Sequence, residues 1–170
     1  MQRLQDLTKS FPATTNFYAI CQISPDQGST LSGVVTFKQT SSCCEIKGTF
    51  TNLPKGKHGI HIHEFGNLKQ GCQSCGAHYN PFNKEHGGPS DAERHVGDLG
   101  NIESNGDFET KFELNNQMIN LVGEWSVVGR SIVVHQDEDD LGMKGFPDSK
   151  TTGHSGKRIA CGVIGVCDKF

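Results

Sequence analysis

Residues 44–50 read CEIKGTF, and apolar or small side chains alternate with polar ones along this stretch. A repeat of two residues indicates a β-strand with one face in the core rather than a helix. Seven more short stretches are strand-like: residues 17–23, 31–38, 58–63, 97–102, 108–114, 130–135 and 158–166. Turn residues such as Pro25 and Gly28 separate them. The pattern predicts an all-β fold of eight antiparallel strands, as a sandwich or a barrel.

Two long gaps interrupt this spacing, at residues 64–94 and 136–157. Loops of this length are uncommon inside a compact domain, and they are usually functional or disordered. The gaps contain many side chains that carry chemistry: Cys72, His78, His86, Asp139, Asp140, Lys150 and Lys157. We therefore interpret both gaps as functional loops.

The composition excludes several classes of protein. The chain has 170 residues, 21 of them glycine, which is the size of about one domain with many turns. Its formal net charge of -3 argues against a basic surface for nucleic acid. No apolar run approaches the length of a membrane span, so no membrane partner is expected.

The first fifteen residues are polar and lack the apolar segment of a secretory signal. We predict a flexible extension at 1–15, a domain at 16–170 and a cytoplasmic location. A secreted protein whose signal has been removed would look the same, so an extracellular location is the alternative. The odd number of cysteines, 7, argues against a fully paired secreted framework.

His61 and His63 lie two residues apart on a predicted strand, so their imidazoles share one face. Ile60 and Ile62 take the opposite face, which we assign to the core. A single His-x-His pair is weak evidence of a metal site. His58 falls on the core side, where a buried histidine bonded to backbone is the better interpretation.

Further histidines follow closely along the chain. His78, His86, His95 and Asp98 lie within 21 residues, and three imidazoles with one carboxylate suit zinc. A polar loop that is merely rich in histidine is the alternative. His135 ends another predicted strand, from which it could reach His61 and His63. Four imidazoles around one ion suit copper as Cu(II).

Eight segments together closely resemble the copper/zinc superoxide dismutases in order, spacing and residue type. They are residues 59–66 (GIHIHEFG), 71–72 (GC), 78–81 (HYNP), 86–89 (HGGP), 93–101 (ERHVGDLGN), 133–135 (VVH), 139–142 (DDLG) and 158–165 (RIACGVIG). The resemblance extends over about residues 16–166. It implies an eight-stranded antiparallel Greek-key barrel or sandwich.

The resemblance also implies one copper and one zinc ion per subunit. Copper would bind to His61, His63, His78 and His135, and zinc to His78, His86, His95 and Asp98. His78 would thus be shared between the two ions. Asp139 would accept hydrogen bonds from His61 and His86, although an ordinary acidic loop residue is its alternative interpretation.

The implied activity is the conversion of two superoxide anions to oxygen and hydrogen peroxide. His78 would carry a proton, and Arg158 would attract and orient the anion. Lys150 and Lys157 are candidates for the rim of the channel, or they are solvated surface charges. The resemblance further implies a disulfide between Cys72 and Cys161.

Two kinds of partner follow from the same resemblance: a second copy of the chain and a copper chaperone that loads the metal. The dimer face would include residues 65–66, 128–129 and 162–164.

Other parts of the sequence depart from the family pattern. Residues 143–150 are less acidic and more apolar than is usual in the family. Cys75 would approach the copper side of its loop or pack elsewhere, and Cys167 could bond another chain.

Two other functions compete with this prediction. A dismutase-like domain of a copper chaperone has the same fold, but it usually carries a Cys-x-Cys tail or loses copper ligands. Neither feature occurs here. A purely structural zinc sandwich would need neither His135 nor Arg158, so the enzyme is the preferred prediction.

Overall fold

A computed structural model describes residues 16–170, and the predicted extension at 1–15 lies outside these described residues. The strands are β1 (Phe17–Pro25), β2 (Ser32–Gln39), β3 (Cys44–Thr51), β4 (Gly56–His63), β5 (Lys69–Cys72), β6 (Asp98–Ser104), β7 (Glu109–Asn116), β8 (Ser131–His135) and β9 (Arg158–Val166). One short α-helix, α1, covers Ser149–Thr152, and a 3-10 turn covers Gln73–Cys75. All eight predicted strands are present. The sequence pattern missed β5 and α1, which lie within the two long loops.

Eight strands form one sheet in the order β6-β4-β8-β9-β1-β2-β3-β7, and neighbouring strands are antiparallel. The connections from β3 to β4 and from β7 to β8 each cross to a non-neighbouring strand, which is the Greek-key arrangement. The two edge strands, β6 and β7, follow each other in the chain. A hydrogen bond of 3.0 Å from Thr110 Oγ1 to Ser104 Oγ joins them, so the barrel is nearly closed.

The barrel interior collects one face of each strand. In β3 the side chains of Cys44, Ile46 and Phe50 are fully buried, whereas Lys47 and Thr49 between them are exposed. Burying an aliphatic or aromatic side chain of this kind contributes about 1.5–3 kcal/mol. The alternation predicted from the sequence therefore corresponds to an inside and an outside of the barrel.

The long loops lie against the outer side of the barrel. A disulfide between Cys72 and Cys161 ties the loop after β4 to β9, with a Cα–Cα distance of 5.7 Å. The two loops also contact each other, since the amide of His86 donates to the carbonyl of Lys150 at 2.9 Å. The described part of the chain contains no helix long and apolar enough to cross a membrane.

Candidate metal centre

Two overlapping groups of buried side chains lie beneath the loops, and in each group the potential ligand atoms are within 4.8 Å of one another. The first group is His61, His63, His78 and His135; the second is His61, His78, His86 and Asp98. His95 joins the second group through its Nδ1, which lies 3.1 Å from Oδ1 of Asp98. All residues predicted as ligands are therefore brought together.

Strand β4 places the first two imidazoles. Ile60 and Ile62 point into the core, so His61 and His63 emerge on the opposite face, where the loops cover them completely. A backbone bridge joins His63 to His78 and brings the loop over the strand. His58 lies on the core side, and its two ring nitrogens contact backbone carbonyls at 3.1 and 3.0 Å, as predicted for a structural histidine.

Backbone carbonyls orient two of the rings in the first group. Nδ1 of His63 donates to the carbonyl of Gly76 at 2.9 Å, and Nδ1 of His135 donates to that of Gly156 at 3.2 Å. Each ring therefore has the tautomer whose Nε2 lone pair is free. These two Nε2 atoms are 3.4 Å apart. Such outer contacts fix the orientation and basicity of metal ligands.

Asp139 orients one ring from each group. Its Oδ2 lies 2.8 Å from Nε2 of His61, and its Oδ1 lies 2.8 Å from Nε2 of His86. Donation from Nε2 leaves the Nδ1 lone pair of each ring available. Asn101 holds this aspartate from behind, since it exchanges two hydrogen bonds of 2.9 and 2.8 Å with the Asp139 backbone.

The second group has the dimensions of a tetrahedral site. The Nδ1 atoms of His78, His86 and His95 lie 3.0, 3.0 and 3.1 Å from Oδ1 of Asp98. Zinc bonds of 2.0–2.1 Å imply an edge of about 3.3 Å between neighbouring ligand atoms. The observed distances are close to this edge length, so the residues fit a zinc ion.

His61 and His78 belong to both groups, but Nε2 of His61 is held by Asp139, so only His78 has a ring nitrogen for each group. For His78 the two nitrogens differ in their surroundings. Its Nδ1 faces Asp98, whereas its Nε2 is buried and has no hydrogen-bond partner. Nδ1 of His61 is also buried without a partner. Leaving a buried polar atom unsatisfied costs about 1–3 kcal/mol. Imidazole nitrogens suit both copper and zinc, so bound metals would satisfy these atoms.

The protonation of the centre also suits metals. Burial, together with the neighbouring imidazoles, lowers the pKa of His61 and His63 and brings that of His135 to about 3. Burial alone would raise the pKa of Asp98, but hydrogen bonds from three histidines hold it well below its usual range. The rings of His61, His63 and His135 are thus neutral and the carboxyl of Asp98 is charged, which are the states that bind metals.

Arg158 lies beside the first group at the start of β9. Its guanidinium donates to the carbonyls of Cys72 and Gly76 at 2.8 and 2.7 Å. It lines an open cavity of about 600 Å³ together with His63 and His135. Neither Lys150 nor Lys157, the lysines predicted for the rim, lines this cavity.

Comparison with known proteins gives the family. The family model described as copper/zinc superoxide dismutase matches residues 31–164. A curated relative, superoxide dismutase [Cu-Zn] 5 of Dictyostelium discoideum, is 51% identical over 148 residues, which is 86% of this chain and 95% of the relative.

This chain belongs to the copper/zinc superoxide dismutase family. The family resemblance and the barrel fold predicted from the sequence are confirmed, and the enzyme is favoured over the copper chaperone. The cofactors of a copper/zinc superoxide dismutase are copper and zinc, and the two groups of ligands described above fit them.

The cysteines divide into paired and free thiols. The disulfide that the dismutase resemblance implied, Cys72 to Cys161, is present, and the other five cysteines are free. Cys75 does not join the copper ligands. It is buried against the disulfide and Val133 instead.

Sequence reasoning missed the acceptors that set the tautomers of this dismutase centre. The carbonyls of Gly76 and Gly156 lie in loops, and a backbone acceptor carries no signal of its own in the sequence. Asn101 was within a quoted motif but received no role. Its position in β6, three residues after the predicted ligand Asp98, was the available clue.

Proposed function

We propose that the centre catalyses superoxide dismutation, converting two superoxide anions and two protons to oxygen and hydrogen peroxide. His78 carries the proposal, since a single imidazole offers one ring nitrogen to each of two adjacent ligand groups. In this proposal His61, His63, His78 and His135 hold copper, and His78, His86, His95 and Asp98 hold zinc. Bound copper supplies one-electron redox chemistry, whereas zinc is not redox active.

The chain's own residues bring the anion and a proton to this point. Arg158 attracts superoxide into the cavity and orients it beside His63 and His135. The guanidinium stays charged at any physiological pH, and two of its five N–H donors are held by carbonyls. His78 holds a proton at Nε2 during the half of the cycle that forms hydrogen peroxide, while its Nδ1 remains beside Asp98.

The test is His135→Ala in metal-loaded protein. We expect copper and dismutase activity to be lost while zinc stays bound, because His135 contributes only to the first group. Elemental analysis and a cytochrome reduction assay measure both quantities. Full activity with stoichiometric copper would contradict the assignment.

We also propose that the chain forms a homodimer. Phe65 is 54% exposed and Val163 is 37% exposed. Between them Gly66 lies so close to Gly129 that a Cβ at Gly66 would be 2.1 Å from the Gly129 carbonyl oxygen. Glycines allow close, flat contact between two copies, as in symmetric interfaces. Ile164, which was assigned to the same face, points into the core.

Light scattering tests the dimer. We expect about twice the chain mass at micromolar concentration for the native protein, and a monomer for Phe65→Glu. A native species of only 18.5 kDa would contradict the proposal.

The proposal also includes delivery of copper by a chaperone and a cytoplasmic location for the protein. His61 and His63 are fully buried, so delivery of copper by a chaperone that opens the loops would ease entry. Five free thiols suit a reducing compartment such as the cytoplasm. Fractionation of cells that express the full chain tests the location, and recovery outside the cell would contradict it.

A further inference from the structure

A buried guanidinium lies outside the metal centre without a carboxylate to pair with. Arg94 is 5% exposed, and among residues 16–170 it forms no salt bridge within the 4.0 Å limit. Its donors reach neutral oxygens only. Nη1 donates to the carbonyl of His95 at 3.0 Å, and Nη2 to Oδ1 of Asn116 at 3.5 Å. Buried charges are normally paired, but the carboxylates of Asp98 and Asp91 act on this cation only from a distance, so it lacks a directly bonded counter-charge.

Asn116 presents a second unsatisfied donor at the same place. The residue is 3% exposed, and its Oδ1 accepts from the amides of Met118 and Ile119 at 2.8 and 3.2 Å as well as from Arg94. Three donors on one oxygen fix the orientation of the amide. Its Nδ2 is buried and has no partner.

Both side chains line one cavity of about 420 Å³ on the side of the molecule near β7. The other polar residues of the lining are Ser42, Cys43, Ser90, Asp91, Asn115 and Gln117. Asp91 is the single acidic residue among them, and its Oδ2 is engaged by the amide of Gly88 at 2.8 Å. The Arg94 cavity, as we name it, thus has room for a small organic molecule beside a cation without a bonded carboxylate and an amide donor without an acceptor.

We propose that the Arg94 cavity binds a small monocarboxylate, with Arg94 and Nδ2 of Asn116 donating to its oxygens. A planar guanidinium matches the two oxygens of a carboxylate. The carboxylate would supply the missing counter-charge and the missing acceptor together. Asp91 on the wall disfavours a second negative charge, so the site prefers a monoanion to a dianion such as sulfate.

Calorimetric titration with acetate tests the site in metal-loaded protein. Arg158→Ile is the background, because Arg158 is a second cation that can attract anions. We expect one saturable site per chain, with sulfate binding at least tenfold more weakly. Absence of saturable heat, or equal binding of sulfate, would overturn the proposal.

Asn116→Asp places a carboxylate of the chain beside Arg94 and should weaken acetate binding at least tenfold. Asn105→Asp adds the same charge in the exposed turn between β6 and β7, and should leave the affinity unchanged. Equal affinities in the two variants would contradict the site.

A second measurement needs no variant and therefore does not depend on whether a variant folds. It is nuclear magnetic resonance of the unmutated protein loaded with copper(I) and zinc. Its Asn116 side-chain amide signals should shift with acetate along one saturation curve, and unmoved signals would also overturn the proposal.

Discussion

Arg158 owes its position to two carbonyls of the loop that the disulfide anchors. One of these carbonyls belongs to Cys72, so the covalent link to β9 and the hydrogen bond to Arg158 converge on the same residue. The guanidinium is therefore held in one orientation above the histidines. A guanidinium held in this way can orient an anion as well as attract it.

We expect Arg158→Ile to lower the dismutation rate at least tenfold, on the order of 1.4 kcal/mol. Arg158→Lys should give an intermediate rate, because it keeps the charge but loses the fork that binds two carbonyls. A cytochrome reduction assay on samples of matched copper content measures both. Equal rates for the lysine and isoleucine variants would contradict the prediction, because they would show that the positive charge alone does not raise the rate.

Individual residues show which parts of the site could be predicted from the sequence and which could not. Ligand types and spacing identified the histidines and Asp98, because only a few side chains bind these metals. The buried Arg94 next to His95 was not recognised as a feature. Its importance depends on Asn116, which is 22 residues away in the sequence and comes close to Arg94 only after folding.

At the scale of elements, period-two alternation predicted the eight strands because each has one buried face. The bounds differ by at most two residues at the ends, where pairing rather than pattern decides. Pro25, assigned to a turn, is the last residue of β1 and pairs with Ala160. Strand β5 has only four residues, too few for alternation to be recognised.

Strand β9 passes so close to β1 that one position admits no side chain. A Cβ at Gly162 would lie 1.9 Å from the carbonyl oxygen of Gln22. Because backbone must move to accommodate it, Gly162→Ala should lower the free energy of unfolding by about 3 kcal/mol. Denaturant unfolding measures the loss. Gly165→Ala in the same strand is the matched control, since its Cβ would meet nothing closer than 3.9 Å. Equal stability of the two variants would contradict the packing argument.

For the whole molecule, the buried imidazoles predict how stability depends on pH once the metals are removed. Burial lowers the pKa of His61 and His63 from 6.5, and brings that of His135 to about 3. When the chain unfolds, these rings take up protons below about pH 6.5. The unfolded state then binds more protons, so the free energy of unfolding falls as pH drops from 6.5 towards 3.

His86 acts in the opposite direction. Burial alone would lower its pKa, but hydrogen bonds to Asp139 and Asp98 raise it to about 9. Its contribution is present below pH 6.5 and is lost as pH rises to about 9. We therefore expect metal-free protein to be most stable near pH 6.5, as urea unfolding across this range would measure. Stability that increases on acidification below this value would contradict the prediction.

The distribution of charge predicts a salt dependence of the rate. The chain has a net charge of -3, and Asp148 lines the same cavity as Arg158. Its carboxylate opposes the approach of superoxide, so Asp148→Asn should raise the rate about twofold at low ionic strength. The gain should fade at physiological salt, where screening acts over about 8 Å. Asp107→Asn, in the turn between β6 and β7, is the control for charge alone. An equal gain in both variants would exclude a local effect.

The two ligand groups differ in how much chain each must close. His78 and Asp98 are 20 residues apart, whereas His63 and His135 are 72 residues apart. Loop-closure entropy grows with the logarithm of length, so joining the longer span costs about 1.1 kcal/mol more. The shorter span also lies largely within one loop, while the longer span requires β4 and β8 to have paired. We therefore expect the group around Asp98 to form on a less complete barrel and the four-imidazole group to form last.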